Sequence, residues 1–193
     1  MGLTASTMMD LGTKAPAFEL EDVTTGQRVS LPTLGTPKAF LIMFICCHCP
    51  FVKHIQAQLA QLGDDYADQS IAIVAISAND IEQYPADAPE QLKAMAATLG
   101  FTFPVCFDAS QQVAKSYTAA CTPDFFLFDS DRHLVYRGQL DNSRPGNDIP
   151  VTGQDLRSAI DAVLSGQPVN SDQQPSIGCN IKWKPGNEPE YFG

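Results

Sequence analysis

The chain has 193 residues, 44% of them hydrophobic and 18% charged, a globular composition that excludes disorder as the main state. Twelve basic against 22 acidic residues leave a net charge of −10, which repels phosphate backbones and anionic bilayers and argues against nucleic acid or membrane as a partner. A chain of this mass folds to a surface of roughly 9,000 Å², enough for one sizeable core, so residues 1–193 read as a single domain with its core at about 12–166 and a tail at 167–193.

The opening MGLTASTMMDLGTKAPAF lacks the apolar run of a secretory signal, and the longest apolar stretch, Ala39 to Cys47, is far short of the roughly 20 residues of a membrane helix. The expected compartment is cytoplasmic. Gly2 and Ser6 match the short N-myristoylation pattern, which needs a eukaryotic host.

In chain order, Phe18 to Leu20 and Arg28 to Leu31, separated by Asp22 to Gly26, predict a short N-terminal hairpin. Lys38 to Ile45 (KAFLIMFI) is a nearly unbroken apolar strand, of the kind buried on both faces of a parallel or mixed sheet. From Pro50 the apolar positions Phe51, Ile55, Leu59 and Leu62 trace one face of a helix that Gly63 closes. Ser70 to Ser77 (SIAIVAIS) is a second buried strand, followed by a polar turn over Ala78 to Pro89 and a helix from about Glu90 to Leu99 that stops at Gly100. Pro104 to Phe107 predicts a short strand and Gln111 to Tyr117 a short helix. Asp124 to Asp129 (DFFLFD) and Leu134 to Arg137 (LVYR) flank the turn Ser130 to His133 as an antiparallel hairpin. Thr152 to Leu164 is the last helix, with Thr152 as N-cap and Gly166 as stop. Gln167 to Gly193, rich in Pro, Gly and Asn, predicts an ordered extended tail without regular structure. This order is an α/β sandwich, a central mixed β-sheet flanked by helices, and is compatible with a thioredoxin-like fold.

Six cysteines (Cys46, Cys47, Cys49, Cys106, Cys121, Cys179) are too few for a disulfide scaffold, and in a reducing compartment they are expected mostly as thiols. Three of them fall within four residues, which favours redox or metal chemistry over stapling. Cys46 and Cys49 are three apart at a strand-to-helix junction. On a helix that spacing puts two sulfurs on one face and allows a small disulfide ring, while Cys47 points about 100° away. A helix N-terminus stabilises a thiolate, so Cys46, first in the motif, is the expected attacking thiolate and Cys49, one turn inward, the resolving thiol. His48 between them can donate to the thiolate or add charge. From Val23 to Gly63 there is no Asp or Glu, and Arg28, Lys38 and Lys53 leave the stretch net positive, as a thiolate site requires. A buried strand and its helix also exclude charge for packing reasons alone.

The strand running into Cys46-Cys47-His48-Cys49-Pro50, and the later Cys121-Thr122-Pro123 leading into DFFLFD, resemble the thioredoxin superfamily. More narrowly, CCHCPFVKH, AISANDIEQYP, CTPDFFLFD, GQLDNSRPGN and PSIGCNIKW are similar to the peroxiredoxin-like, AhpC/TSA-related redoxins over roughly Gly12 to Trp183. The resemblance implies a thioredoxin-like fold in which Pro123 is the cis-proline lying against the cysteine pair, with Cys121 close by. It implies thiol–disulfide exchange with protein disulfides as clients and a cellular thiol as reductant, through Cys46, His48, Cys49 and Pro123, with no cofactor. A true peroxiredoxin carries Pro-x-x-x-Thr/Ser-x-x-Cys and an activating arginine. Aligning Cys49 with that cysteine puts Ile42 at the proline and Cys46 at the threonine, and the arginine expected near Thr122 or Pro123 is missing, so a weak peroxidase is the lesser reading.

A metal-chaperone reading would use Cys46, Cys47, His48, Cys49 and His54 for zinc or copper, but no second CxxC or spaced His pair completes a four-ligand set. The distal His133 lies in a hairpin turn and reads as solvated. Cys106 reads as a small buried hydrophobe, Asp124 as a cap or a proton acceptor beside the cysteines, Asp141 and Arg144 as an ion pair, and Lys53 as a tuning or a surface charge. Ile177, Ile181 and Trp183 give the tail apolar residues with which to dock. Docking would bring Cys179 near Cys121 as a second redox pair or relay, or hold the tail by packing with both cysteines reduced.

Overall fold

The computed structural model describes residues 3–192; Gly2 of the myristoylation pattern lies outside them. The accessible surface is 8662 Å², close to the area that the mass implies. Among the described residues the strands are β1 (Leu3–Ala5), β2 (Glu19–Glu21), β3 (Arg28–Ser30), β4 (Ala39–Phe44), β5 (Ile71–Ser77), β6 (Val105–Phe107), β7 (Cys121–Thr122), β8 (Asp124–Asp129), β9 (Leu134–Gly138) and β10 (Ile177–Asn180). The α-helices are α1 (Pro50–Asp65), α2 (Pro89–Leu99), α3 (Gln112–Ser116) and α4 (Gln154–Leu164). None of them is long and apolar enough to cross a membrane.

The central sheet has the order β6-β5-β4-β8-β9, with β4, β5 and β6 parallel and β8 and β9 antiparallel, which is the mixed sheet that the pattern predicts. Strand β4 sits in the middle, and its alternating side chains serve two cores. Leu41 and Met43 pack with Leu59 of α1, Leu92 of α2 and Leu156 of α4. Phe40, Ile42 and Phe44 pack on the opposite face with Phe126, Phe128, Tyr117 and the tail residues Ile181 and Trp183. Burial on both faces is why the strand reads as an unbroken apolar run.

Three local expectations are corrected. Gly63 does not end α1, which continues to Asp65. A Cβ at Gly63 would fall 2.7 Å from Thr102 Oγ1, so this glycine marks a close approach, not a stop. Helix α4 is not capped by Thr152: Gly153 is the N-cap residue, and Asp141 Oδ2 accepts the backbone N–H groups of Thr152 (2.7 Å) and Gly153 (2.6 Å). That role also replaces the expected ion pair, because Arg144 Nη1 donates to the Asp141 backbone carbonyl (2.6 Å).

The tail departs furthest from expectation. Instead of lacking regular structure it contributes β10, the middle strand of a second, antiparallel sheet of order β1-β10-β7. Ile181 and Trp183 dock behind it at 1% and 7% exposure, and burying Ile181 alone is worth about 1.5–3 kcal/mol. Gly178 makes the approach possible, since a Cβ there would meet the Thr122 carbonyl oxygen at 2.1 Å. Gly178→Ala is therefore expected to lift β10 from β7, costing about 1–3 kcal/mol as an overpacking change. Urea denaturation would show it, together with faster labelling of the cysteines beneath the strand; unchanged stability and labelling would contradict this role for Gly178.

Candidate active site

Strand β4 delivers the chain into a loop at Ile45 to His48, and α1 begins at Pro50 with Cys49 as its N-cap residue. The pair therefore does not lie on one helical face; a turn of the loop before the helix brings Cys46 and Cys49 together. Cys49 is fully buried and Cys46 is 1% exposed, whereas Cys47 is half-buried. The Thr122–Pro123 peptide bond is cis. Thr122 reaches both sulfurs: its hydroxyl Oγ1 lies 3.4 Å from Cys46 Sγ, and its carbonyl oxygen 3.2 Å from Cys49 Sγ. Pro123 thus stands beside the pair, lining a narrow cleft with Phe51, His54, Arg144 and Ser176. A cavity of 530 Å³ between β9, α4 and the tail contains none of these residues.

The surroundings of the two sulfurs favour charge on Cys49 over Cys46, the attacking thiolate that the motif order suggests. Cys49 is held below the ordinary thiol range, first by the hydrogen bond from the Cys46 thiol, then by the Cys179 thiol and by the backbone N–H groups of Val52 and Cys179. The Val52 N–H pulls as part of the helix N-terminus without making a full capping bond. Burial and the Thr122 carbonyl oppose ionisation, but the converging donors outweigh them. Cys46 is pushed up by its hydrogen bond to Cys49, by burial and by the negative charge of Asp87. The direction of both shifts favours the charge on Cys49. Burial pushes Cys47 up to about 12, Asp87 adds to that, and Lys53 counters only in part.

Asp87 is the functional neighbour that sequence reasoning missed. The acid-free stretch Val23 to Gly63 holds in sequence, yet the fold inserts this fully buried carboxylate into the motif loop from the turn before α2. Asp87 Oδ1 accepts the backbone N–H of Cys47 (2.7 Å) and of His48 (3.1 Å), and Oδ2 accepts His48 Nδ1 (2.5 Å) and Asn79 Nδ2 (2.8 Å). His48 Nδ1 is therefore committed to Asp87 and not to a cysteine. Its ring stacks on Tyr84 at 5.4 Å, with Lys182 Nζ over the other partner's ring at 5.7 Å. Asn79 Oδ1 accepts the Lys182 N–H (2.8 Å), so one chain of hydrogen bonds ties tail to motif loop. The polar turn Ala78 to Pro89 carried Asn79, Tyr84 and Asp87 in plain view, but only the fold shows that they face the motif loop.

Cys46, His48 and Asp87 each offer an atom within 4.8 Å of the others, the geometry of a partial cation site. The four hydrogen bonds on Asp87 occupy its oxygens, so the cluster reads as a loop brace rather than a ligand set. His54 does not join it, because Nε2 bonds Ser143 Oγ at 2.7 Å. His133 is half exposed beside Asp129. Cys106 is a fully buried core residue, as expected.

The tail does return to the site, but not to pair Cys179 with Cys121. Register places Cys179 opposite Thr122 and Asn180 opposite Cys121, and strand alternation turns Cys121 to the other face. Cys121 Sγ lies 3.6 Å from the Pro123 carbonyl, and Cys179 instead hydrogen-bonds Cys49.

A match to the AhpC/TSA family covers residues 11–137, two thirds of the sequence. The chain belongs to the AhpC/TSA family. Its fold superposes with TM-score 0.94 on an uncharacterized conserved protein from Geobacillus kaustophilus, 54% identical over 96% of this chain and 98% of that one. A hypothetical protein from Sinorhizobium meliloti 1021 gives TM-score 0.93 at 50% identity over 95% and 100%. The thioredoxin domain of a thiol-disulfide oxidoreductase from Bacteroides vulgatus shares the fold, with TM-score 0.57 and 21% identity over 68% and 89%. No curated protein matches. This AhpC/TSA chain thus has the thioredoxin-like fold that its motif order implies.

Asp124, expected as a cap or proton acceptor, is fully buried, and among the described residues neither carboxyl oxygen has a hydrogen-bond partner of standard geometry. Burial pushes its carboxyl up to about 7, with Ser6 and the backbone of Ala120 and Phe125 pulling weakly the other way. The folded protein keeps a proton that the unfolded chain releases near 3.8, so this contribution to stability is full below pH 4 and is lost as pH rises through about 7. Urea titrations of the wild type are expected to weaken across that window by about 1.4 kcal/mol per pH unit, less whatever local relaxation recovers. Asp124→Asn is expected to flatten the profile; an identical slope in the variant would rule Asp124 out as its source.

The thiolate assignment is tested by alkylation across pH with mass-spectrometric readout of each cysteine. Cys49 is expected to titrate below the free-thiol value of about 8.5, and Cys47 above it. A Cys49 that titrates as an ordinary thiol would overturn the reading.

Proposed function

We propose that this protein is a thiol–disulfide oxidoreductase in which Cys49 is the attacking thiolate and Cys46 the thiol that resolves it. The observation that carries the reading is the seat of Cys49 as N-cap residue of α1, with its sulfur and that of Cys46 both held against Thr122. Membership in the AhpC/TSA family, and the fold shared with a thiol-disulfide oxidoreductase domain, support a redox role. Cys49 attacks one sulfur of a client disulfide, forming a mixed disulfide and releasing the first client thiol. Cys46 then attacks Cys49, closing Cys46–Cys49 and releasing the second, and a cellular thiol reductant resets the pair. Thr122 and Pro123 position the two sulfurs, and the His48–Asp87 pair holds the loop that carries Cys46. Both sulfurs are covered in the reduced fold, so a client reaches Cys49 only when the overlying strand yields.

The peroxidase alternative is supported by Cys46, whose thiol hydrogen-bonds Cys49 from the position of the peroxiredoxin threonine. Against it, the guanidinium of Arg144, whose charge reaches Cys121, is spent on the carbonyls of Asp141 and Ser143 and on Gln139 Oε1.

Reduction of insulin disulfides with dithiothreitol as the reductant tests the assignment. Cys49→Ser is expected to fall to background, and Cys46→Ser to keep the attack but slow at resolution, with mixed disulfide accumulating at Cys49. Full turnover by Cys49→Ser, or an inert wild type, would overturn it.

A further inference from the structure

Strand β10 places a third thiol in the site. Its register sets Cys179 directly across from Thr122, the residue whose hydroxyl and carbonyl oxygens touch Cys46 and Cys49. Cys179 is 4% exposed and packs in the same core cluster as those two cysteines. The contact depends on Gly178, which lets β10 lie against the Thr122 carbonyl, and on Asn79 and Gln111, which hold the strand's continuation at Lys182. Opposite register would turn the sulfur away from the site. Cys49 is consequently a hub with thiols on two sides, one from its own loop and one from a strand 130 residues later in the chain.

We propose that Cys179 is a second resolving thiol for Cys49, so that oxidation passes through a Cys49–Cys179 disulfide as well as through Cys46–Cys49. The proposal rests on Cys49 being the attacking sulfur. In the step, Cys179 gives up its proton to the departing client sulfur and attacks Cys49 of the mixed disulfide. The Cys49–client bond breaks, the client leaves as a thiol, and the Cys49–Cys179 bond forms. The protein is then oxidised by two electrons and the client disulfide is reduced by two. Cys46 can attack Cys49 in turn, transferring the disulfide to Cys46–Cys49 and restoring the Cys179 thiol, and an external dithiol returns the site to its starting state. Burial and its hydrogen bond to Cys49 push the Cys179 thiol up to about 12; that bond is given up as Cys179 becomes the nucleophile, and the Lys182 charge counters the rest in part.

Tryptic mapping of the full-length protein tests this directly. Cleavage after Lys38 and Lys53 puts Cys46, Cys47 and Cys49 on peptide 39–53, and cleavage after Arg157 and Lys182 puts Cys179 alone on peptide 158–182. In a Cys46→Ser/Cys47→Ser variant oxidised with diamide and quenched under denaturing alkylation, most molecules are expected to show these peptides cross-linked. Recovery of both peptides singly, with Cys179 fully alkylated, would overturn the proposal. In the insulin assay, Cys46→Ser is expected to retain at least a tenth of wild-type turnover, and Cys46→Ser/Cys179→Ser to fall at least tenfold further. Equal rates for the single and double variants would refute the resolving role even if the cross-link forms. An inert wild type would strike the exchange reading instead, and the cross-link arm would still decide whether Cys49 and Cys179 form a pair.

Discussion

The site depends on one short segment, Thr122–Pro123, being held against two other pieces of chain at once. Thr122 pairs through its backbone with β10, while its hydroxyl and carbonyl oxygens contact the sulfurs of Cys46 and Cys49. A buried thiolate is costly unless donors converge on it. Those donors come from three separate stretches: the motif loop, the first turn of α1, and the tail strand that Thr122 positions. Displacing the segment would remove the donors and leave the charge uncompensated in the core.

A second constraint works on the other side of the loop. Asp87 is a buried carboxylate, and a buried carboxylate is tolerated where its oxygens are filled by hydrogen bonds. Two of its four bonds go to the backbone of Cys47 and His48, so the acid both satisfies itself and fixes the conformation of the motif. Its negative charge raises the pKa of its neighbours Cys46 and Cys47. The same group that shapes the loop therefore helps to decide which cysteine keeps its proton. The difference between two cysteines three residues apart comes first from the hydrogen bond they share and then from the donors and the charge that each one faces.

The tail unites these effects. Lys182 bonds Asn79, which bonds Asp87, which bonds the motif loop. Cys179, three residues before Lys182, bonds Cys49. Covering and tuning are thus properties of one strand, and the thiolate is protected by the element that stabilises it. Access to the buried sulfurs couples to how firmly the strand is docked, and Ile181 and Trp183 are apolar side chains that set that firmness.

How much was legible follows from where each kind of information resides. The buried strand KAFLIMFI, the helix after the cysteines and the hairpin DFFLFD to LVYR are local patterns, because a period of two or 3.6 residues is written in consecutive positions. The cysteine cluster and the Thr122–Pro123 segment stand out for the same reason, and together with the order of elements they specify the thioredoxin-like class. The preference for charge on Cys49, on which the proposed roles rest, was not legible. It depends on long-range neighbours, namely Asp87, Thr122 and Cys179, whose separation in sequence gives no hint of their contact. Neither was β10, since four residues among prolines, glycines and asparagines carry no periodicity and become a strand only when β1 and β7 offer their edges. The sequence by itself determined the element types and supplied the sulfurs; the tertiary structure alone decided which sulfur its surroundings favour as the thiolate, because a pKa is set by burial and by donors that only the folded chain brings within reach.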